Sequence, residues 1–160
     1  MDDEHYLALG RAVYSFLTLE WLLIWIAALL GDGDLGRTSG LTFGKLVNEV
    51  EAKLKADPVA GGSARPQLDA LAPLLREANQ LRQDVFHSYP VHSTPVLRRL
   101  KDGELLEIDV DRLTAAHERF EEITQLATEA WTVQWEDAWE EAGGENDLTL
   151  EEVLHRGRRT

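Results

Sequence analysis

The chain has 160 residues, 44% of them hydrophobic and none of them cysteine; that suffices for one domain with an apolar core, and it excludes disulfides, thiolate metal sites and a cysteine nucleophile. Sixteen Lys and Arg against 29 Asp and Glu leave a net charge of −13, which opposes nonspecific attraction to nucleic acid or anionic lipid. The start, Met1-Asp2-Asp3-Glu4, is acidic where a secretory signal is positive, and the longest apolar run, Trp21 to Leu30, is about half the ~20 residues a bilayer requires, so a cytoplasmic protein without a membrane span is expected.

Helical periodicity dominates, and the order of elements predicts an all-α, up-and-down four-helix bundle with a small β-hairpin before the last long helix and a short C-terminal helix. The first helix is expected from about Asp3 to Leu30, ended by the turn cluster Gly31-Asp32-Gly33-Asp34 and followed by a polar loop to Gly40. The second spans about Thr42 to Ala56, with Leu46, Val47, Val50 and Leu54 on one face, before Pro58 and Gly61-Gly62 break the pattern. The third runs from about Pro66 to His87, because the backbone ahead of Pro90 is pushed out of the helical region.

Residues Val96 to Ile108 place an Asp102-Gly103 step between two runs rich in Leu, Val and Ile, which signals a hairpin. The fourth helix starts with Asp109 or Asp111 as N-cap and continues to about Ala142, burying Leu113, Ala116, Phe120, Ile123, Ala127, Trp131 and Trp135. Gly143-Gly144 ends it. Thr149 and Glu152 form a capping box for the final short helix, which leads into the basic tail Arg156-Gly157-Arg158-Arg159. The bundle is thus assigned to residues 1–144, and the short helix with its tail to 145–160.

Two charges fall on apolar faces. On a wheel, Arg82 lies within the arc of Leu71, Leu74, Leu75, Ala78, Leu81 and Val85, and Glu20 lies within that of Leu9, Val13, Phe16, Leu23 and Ala27. Opposite charges on facing apolar stripes pair most economically with each other, so a Glu20–Arg82 contact is expected; as a structural ion pair alone it implies no function. His87 is about 140° from Arg82 around the helix. It is expected at the exposed C-terminal end, where a positive charge suits the helix dipole, and only a distorted last turn or a second subunit would join it to Arg82. The first helix also carries a second apolar set, Tyr14, Trp21, Trp25, Ala28 and Leu29. Either Trp131, Trp135 and Trp139 cover it, or it faces a second copy in a two-fold dimer. The histidines His5, His87, His92, His117 and His155 lack ligand spacing, so neither a metal nor another cofactor is expected.

The segment Asn79-Gln80-Leu81-Arg82-Gln83-Asp84-Val85-Phe86-His87-Ser88-Tyr89 resembles the Arg-x4-His motif of the HEPN superfamily, named for higher eukaryotes and prokaryotes nucleotide-binding. Leu9-Gly10-Arg11 through Phe16-Leu17-Thr18-Leu19-Glu20, and Leu41-Thr42-Phe43-Gly44-Lys45-Leu46, look like the same superfamily, so the likeness spans about residues 5–92. The resemblance implies a helical homodimer in which Arg and His of both chains line one cleft. In active members it implies a metal-independent endoribonuclease of a toxin, stress or phage-defence setting. Arg82 and His87 would then be catalytic, the imidazole as general acid or base and the guanidinium stabilising charge on the phosphate. Glu20 would orient Arg82, and Asn79, Gln83 and Asp84 would support the motif. Arg82, Arg98, Arg99 and Lys101 of two chains would gather positive charge around the cleft.

Tyr89 completes an Arg-x4-His-x-Tyr pattern similar to that of toxins paired with nucleotidyltransferase antitoxins, in which the tyrosine is modified. By that likeness Tyr89 is a modification or substrate-contact residue and a cognate antitoxin a partner. Active members commonly carry a small polar residue such as asparagine after the arginine, where this chain has Gln83. Together with the acidic composition, this keeps a second reading open: a catalytically inactive dimeric module that binds RNA, a nucleotide or a protein partner.

Overall fold

The computed structural model describes residues 2–90, 97–101 and 103–143. Its first helix, α1 (Asp3–Leu30), starts where the Asp2 carboxylate accepts a 3.0 Å hydrogen bond from the His5 N–H, and it stops at Gly31, whose N–H donates to the carbonyls of Ala27 and Ala28. Where the sequence suggests only a polar loop, one short helix forms, α2 (Leu35–Ser39). Asp34 caps it by accepting from the Arg37 N–H at 2.9 Å, and Arg37 is tied in turn to Glu49 at 2.8 Å. A local cap and a cross-helix ion pair thus supply what five residues of propensity cannot.

Helix α3 (Phe43–Ala56) buries Leu46, Val47, Val50 and Leu54, as its periodicity predicts. A left-handed Gly61 (φ +85°) and a 3₁₀ turn at Gly62–Ala64 then reverse the chain into α4 (Arg65–Phe86). A Cβ on Gly61 would stand 2.5 Å from a Leu68 methyl, so only glycine fits this turn. His87 forms the C-cap of α4, donating its N–H to the Gln83 carbonyl at 3.2 Å.

The expected hairpin forms from β2 (Leu97–Lys101) and β3 (Glu104–Ile108), with Leu97 opposite Ile108 and Lys101 opposite Glu104. A two-residue strand, β1 (Tyr89–Pro90), adds to it antiparallel, giving a three-stranded sheet in the order β1-β2-β3. Asp109 then caps α5 (Val110–Glu141), accepting from the Arg112 N–H at 2.9 Å. The proposed C-terminal helix and basic tail, 145–160, lie outside the described residues.

The molecule is all-α apart from this small sheet: α1 pairs with α5, α3 packs on α1, and α4 packs on α5 and α3. Helix α5 runs alongside α1 in the same sense: His5 Nε2 meets the Ile108 carbonyl at 3.4 Å, Ser15 Oγ meets His117 Nδ1 at 2.7 Å, and Trp21 meets Trp131 with ring centres 6.2 Å apart. Helix α4 runs the opposite way, with Phe86 against Phe16 at one end and Leu68 close to Leu30, around Gly61, at the other. By length and composition α1 could also cross a membrane, because an 18-residue window tolerates the Glu20 that interrupts a continuous run; half of that window is buried inside the bundle.

All four phenylalanines converge on Phe16, whose ring centre lies 5.0 Å from Phe43, 5.0 Å from Phe86 and 5.5 Å from Phe120. One side chain therefore joins α1, α3, α4 and α5. Truncating it, as Phe16→Ala, is expected to cost about 3–5 kcal/mol in urea unfolding. The same truncation at the exposed Val59, as Val59→Ala, is expected to cost less than about 1 kcal/mol.

Candidate functional site

The end of α4 sets the geometry. Arg82 and Phe86 are one turn apart on α4, and both reach Phe16 of α1: Phe86 makes an edge-to-face contact, and the Arg82 guanidinium carbon stands 6.0 Å from the ring centre. At that distance a cation on an aromatic face is weakly attracted by the ring quadrupole. Arg82 is half-buried, and its Nε is shut off from solvent with no hydrogen-bond acceptor.

Glu20, one turn along α1 from Phe16, is also half-buried. Burial raises its pKa above the ordinary glutamate value, and the nearby positive charge of Arg82 pulls partly the other way. The two charges thus sense each other as the sequence suggests, yet among the described residues they form no ion pair within 4.0 Å and no hydrogen bond. The correction has a simple cause: both side chains keep partial contact with water, so neither needs the other to offset full desolvation.

His87 projects into solvent from the cap of α4, on the side the helical wheel predicts, and it makes no side-chain hydrogen bond with Arg82. Within one copy of the chain the two motif residues are near in sequence but differ in environment, one half-sunk against Phe16 and the other exposed. Gln83 is half-buried, and its carbonyl serves the cap.

The remaining motif residues have structural duties. Asn79 points its amide at the first turn of α3, where a Cβ on Gly44 would lie 3.4 Å from its Nδ2; its Oδ1 is buried without a partner. Asp84 accepts two hydrogen bonds from Lys101 Nζ, at 2.9 and 3.0 Å, and one from Gln80 Nε2 at 3.0 Å, while the Ser88 hydroxyl donates to its carbonyl. Asp84 therefore ties the end of α4 to β2. Tyr89 pairs through its backbone with Arg98, and its side chain lies outside the described residues, as does that of Arg99. Arg98 is bonded to Glu107 at 2.6 Å, so the expected basic funnel is reduced: two of its cations, Arg98 and Lys101, already have carboxylate partners within the chain.

Sequence reasoning missed Phe16 and Phe86 as the floor beneath Arg82. The spacing of four between Phe16 and Glu20, and between Arg82 and Phe86, is the signal that could have found them. On the outer side of α1 the expected cover by the tryptophans of α5 forms in part. Trp131 meets Trp21 at a tilt of 58°, and the five tryptophans form one continuous row from Trp25 to Trp139. Ala28 is buried and Trp25 and Leu29 are half-buried, but Tyr14 and Leu17 remain exposed.

Comparison with known protein families, with curated proteins and with solved structures finds no match for this chain.

The raised pKa of Glu20 has a thermodynamic consequence. A carboxyl that holds its proton more tightly when folded costs nothing while it is protonated in both states, and its ionisation destabilises the fold as the pH rises past 4.5, the unfolded value, and through the folded pKa. Glu20→Gln is therefore expected to raise the Tm at about pH 7 and to leave it unchanged below about pH 4. Calorimetric melting across that range checks the sign; a lower Tm for the variant at neutral pH would mean that attraction to Arg82 outweighs burial.

Proposed function

We propose that the chain is a HEPN-type module that works as a homodimer in the cytoplasm and cleaves single-stranded or looped RNA without a metal, using Arg82 and His87 of both copies. The observation that carries this reading is the uncommitted guanidinium of Arg82: half-buried, with an unpartnered Nε, on the same helix end that exposes the His87 imidazole. A planar cation without an ion pair among the described residues is free to donate hydrogen bonds to phosphate oxygens.

In the proposed reaction a neutral imidazole takes the proton of a ribose 2′-hydroxyl. The 2′-oxygen attacks phosphorus, the bond from phosphorus to the 5′-oxygen breaks, and a second, protonated imidazole protonates the leaving oxygen. The products are a 2′,3′-cyclic phosphate and a 5′-hydroxyl. Each copy contributes one His87, so base and acid are both present only where two copies meet. Arg82 stabilises the charge that builds on the phosphate, Glu20 is its positioning residue, and Tyr89 is the candidate site for modification by an antitoxin partner.

A second reading, an inactive module that binds RNA, a nucleotide or a protein, is favoured by the internal pairing of Arg98 and Lys101 in a chain of net charge −13.

Purified protein incubated with mixed RNA in EDTA is expected to release fragments ending in cyclic phosphate. Arg82→Ala and His87→Ala should each slow this by at least about 100-fold with unchanged circular dichroism. Cleavage undiminished in His87→Ala rejects the enzymatic reading. Intact RNA with wild-type protein, together with binding that survives His87→Ala, establishes the second one.

A further inference from the structure

The dimer of the proposed function leaves open where two copies meet. We infer that the seam is the outward face of α1, paired antiparallel with α1 of a second copy about a two-fold axis between residues 15 and 16. This inference rests on the two-fold assembly of the proposed function.

Leu7, Gly10, Tyr14, Leu17, Trp21 and Ile24 recur at alternating spacings of three and four, the pattern of a two-helix seam. The first five lie opposite the buried face of α1, where Leu7 is 57% exposed, Tyr14 73%, Leu17 53% and Trp21 52% and Gly10 is exposed as well, and Ile24 at the end of the row is half-buried against the core. None of the six is charged, in a chain of net charge −13. Two such copies repel each other over most of their surface and approach most easily where charge is absent. The area also suffices. Aromatic side chains bury about 150–250 Å² each, so the exposed shares of Leu7, Tyr14, Leu17 and Trp21 come to roughly 500 Å² per copy. The pair then buries about 1,000 Å², the least that a specific interface needs.

The register follows from size. Pairing about an axis between residues 15 and 16 sets Leu7 against Ile24, Tyr14 against Leu17, and Gly10 against Trp21 of the second copy. A Cβ on Gly10 would meet nothing within 4 Å in its own chain, so the fold itself has no need of glycine there. An indole arriving from a second copy does need that space. An interior glycine otherwise costs a helix about 1 kcal/mol relative to alanine.

The absence of cysteine allows a direct test. Wild-type protein is expected to sediment as a dimer, and Leu17→Glu, at an exposed site that leaves the fold intact by circular dichroism, as a monomer. Leu7→Cys protein mixed with Ile24→Cys protein should form a disulfide-linked pair under mild oxidation, whereas neither links to itself, the like positions lying about 25 Å apart along the seam. Self-linking of Leu7→Cys, a dimer that persists in Leu17→Glu, or a wild-type monomer overturns the inference; a monomer that floats with phosphatidylcholine vesicles would name lipid as the occupant instead. A cross-linked dimer that leaves RNA intact keeps the seam and removes the nuclease, and RNA cleavage by a dimer that persists in Leu17→Glu keeps the nuclease and removes the seam.

Discussion

Phe16 is the contact on which the arrangement of this molecule depends. Its ring receives Phe43, Phe86 and Phe120, so the helices that precede and follow the α3–α4 reversal are referred to one point on α1. Each aromatic pair contributes about 0.5–1.5 kcal/mol beyond its buried area, and the three contacts are geometrically coupled. The same ring lies under Arg82. Core packing thus also supplies the surface on which the guanidinium of the motif rests.

The helices were legible because their ends carry local chemistry. Asp109 and the glycines at 31 and 143 mark ends where the backbone needs a cap or a break, and the apolar periodicity of α3, and of α5 as far as Ala127, reads directly onto their buried faces; beyond it Ala130 and Gln134 are buried and the expected Trp131 and Trp135 only half-buried. Helix α2 was not legible: five residues are too few to show a period, and what holds it is the Arg37–Glu49 bridge to another helix. Strand β1 escaped for a related reason. Its partner begins at Leu97, beyond any local turn signal, and its backbone becomes available only where α4 stops.

At the candidate site, the wheel placed Glu20 and Arg82 in one neighbourhood and His87 on the outside. It failed on the ion pair because a wheel assigns direction and not depth: half-buried charges can stay apart while feeling each other's field. Asn79 and Asp84 were read as motif companions, whereas Asn79 meets Gly44 on α3 and Asp84 meets Lys101 on β2. Those partners sit on other elements and leave no trace in the spacing around them. The apolar excess of α1 was visible in the sequence; how much of it the tryptophans of α5 cover depends on side-chain reach, which composition does not encode.

The Asp84–Lys101 bridge closes a neck across the chain between the last turn of α4 and the second strand. The pair is only partly shielded from water, with side-chain exposures of 18% and 35%, so dissolved ions weaken it far more than they weaken the phenylalanine cluster. The terminus that presents His87 is thus held by two fastenings of different character, one greasy and indifferent to salt, the other electrostatic. Ionic strength can slacken the second while the first keeps the bundle whole, which makes the stiffness of that terminus a property of the surrounding solution as much as of the fold.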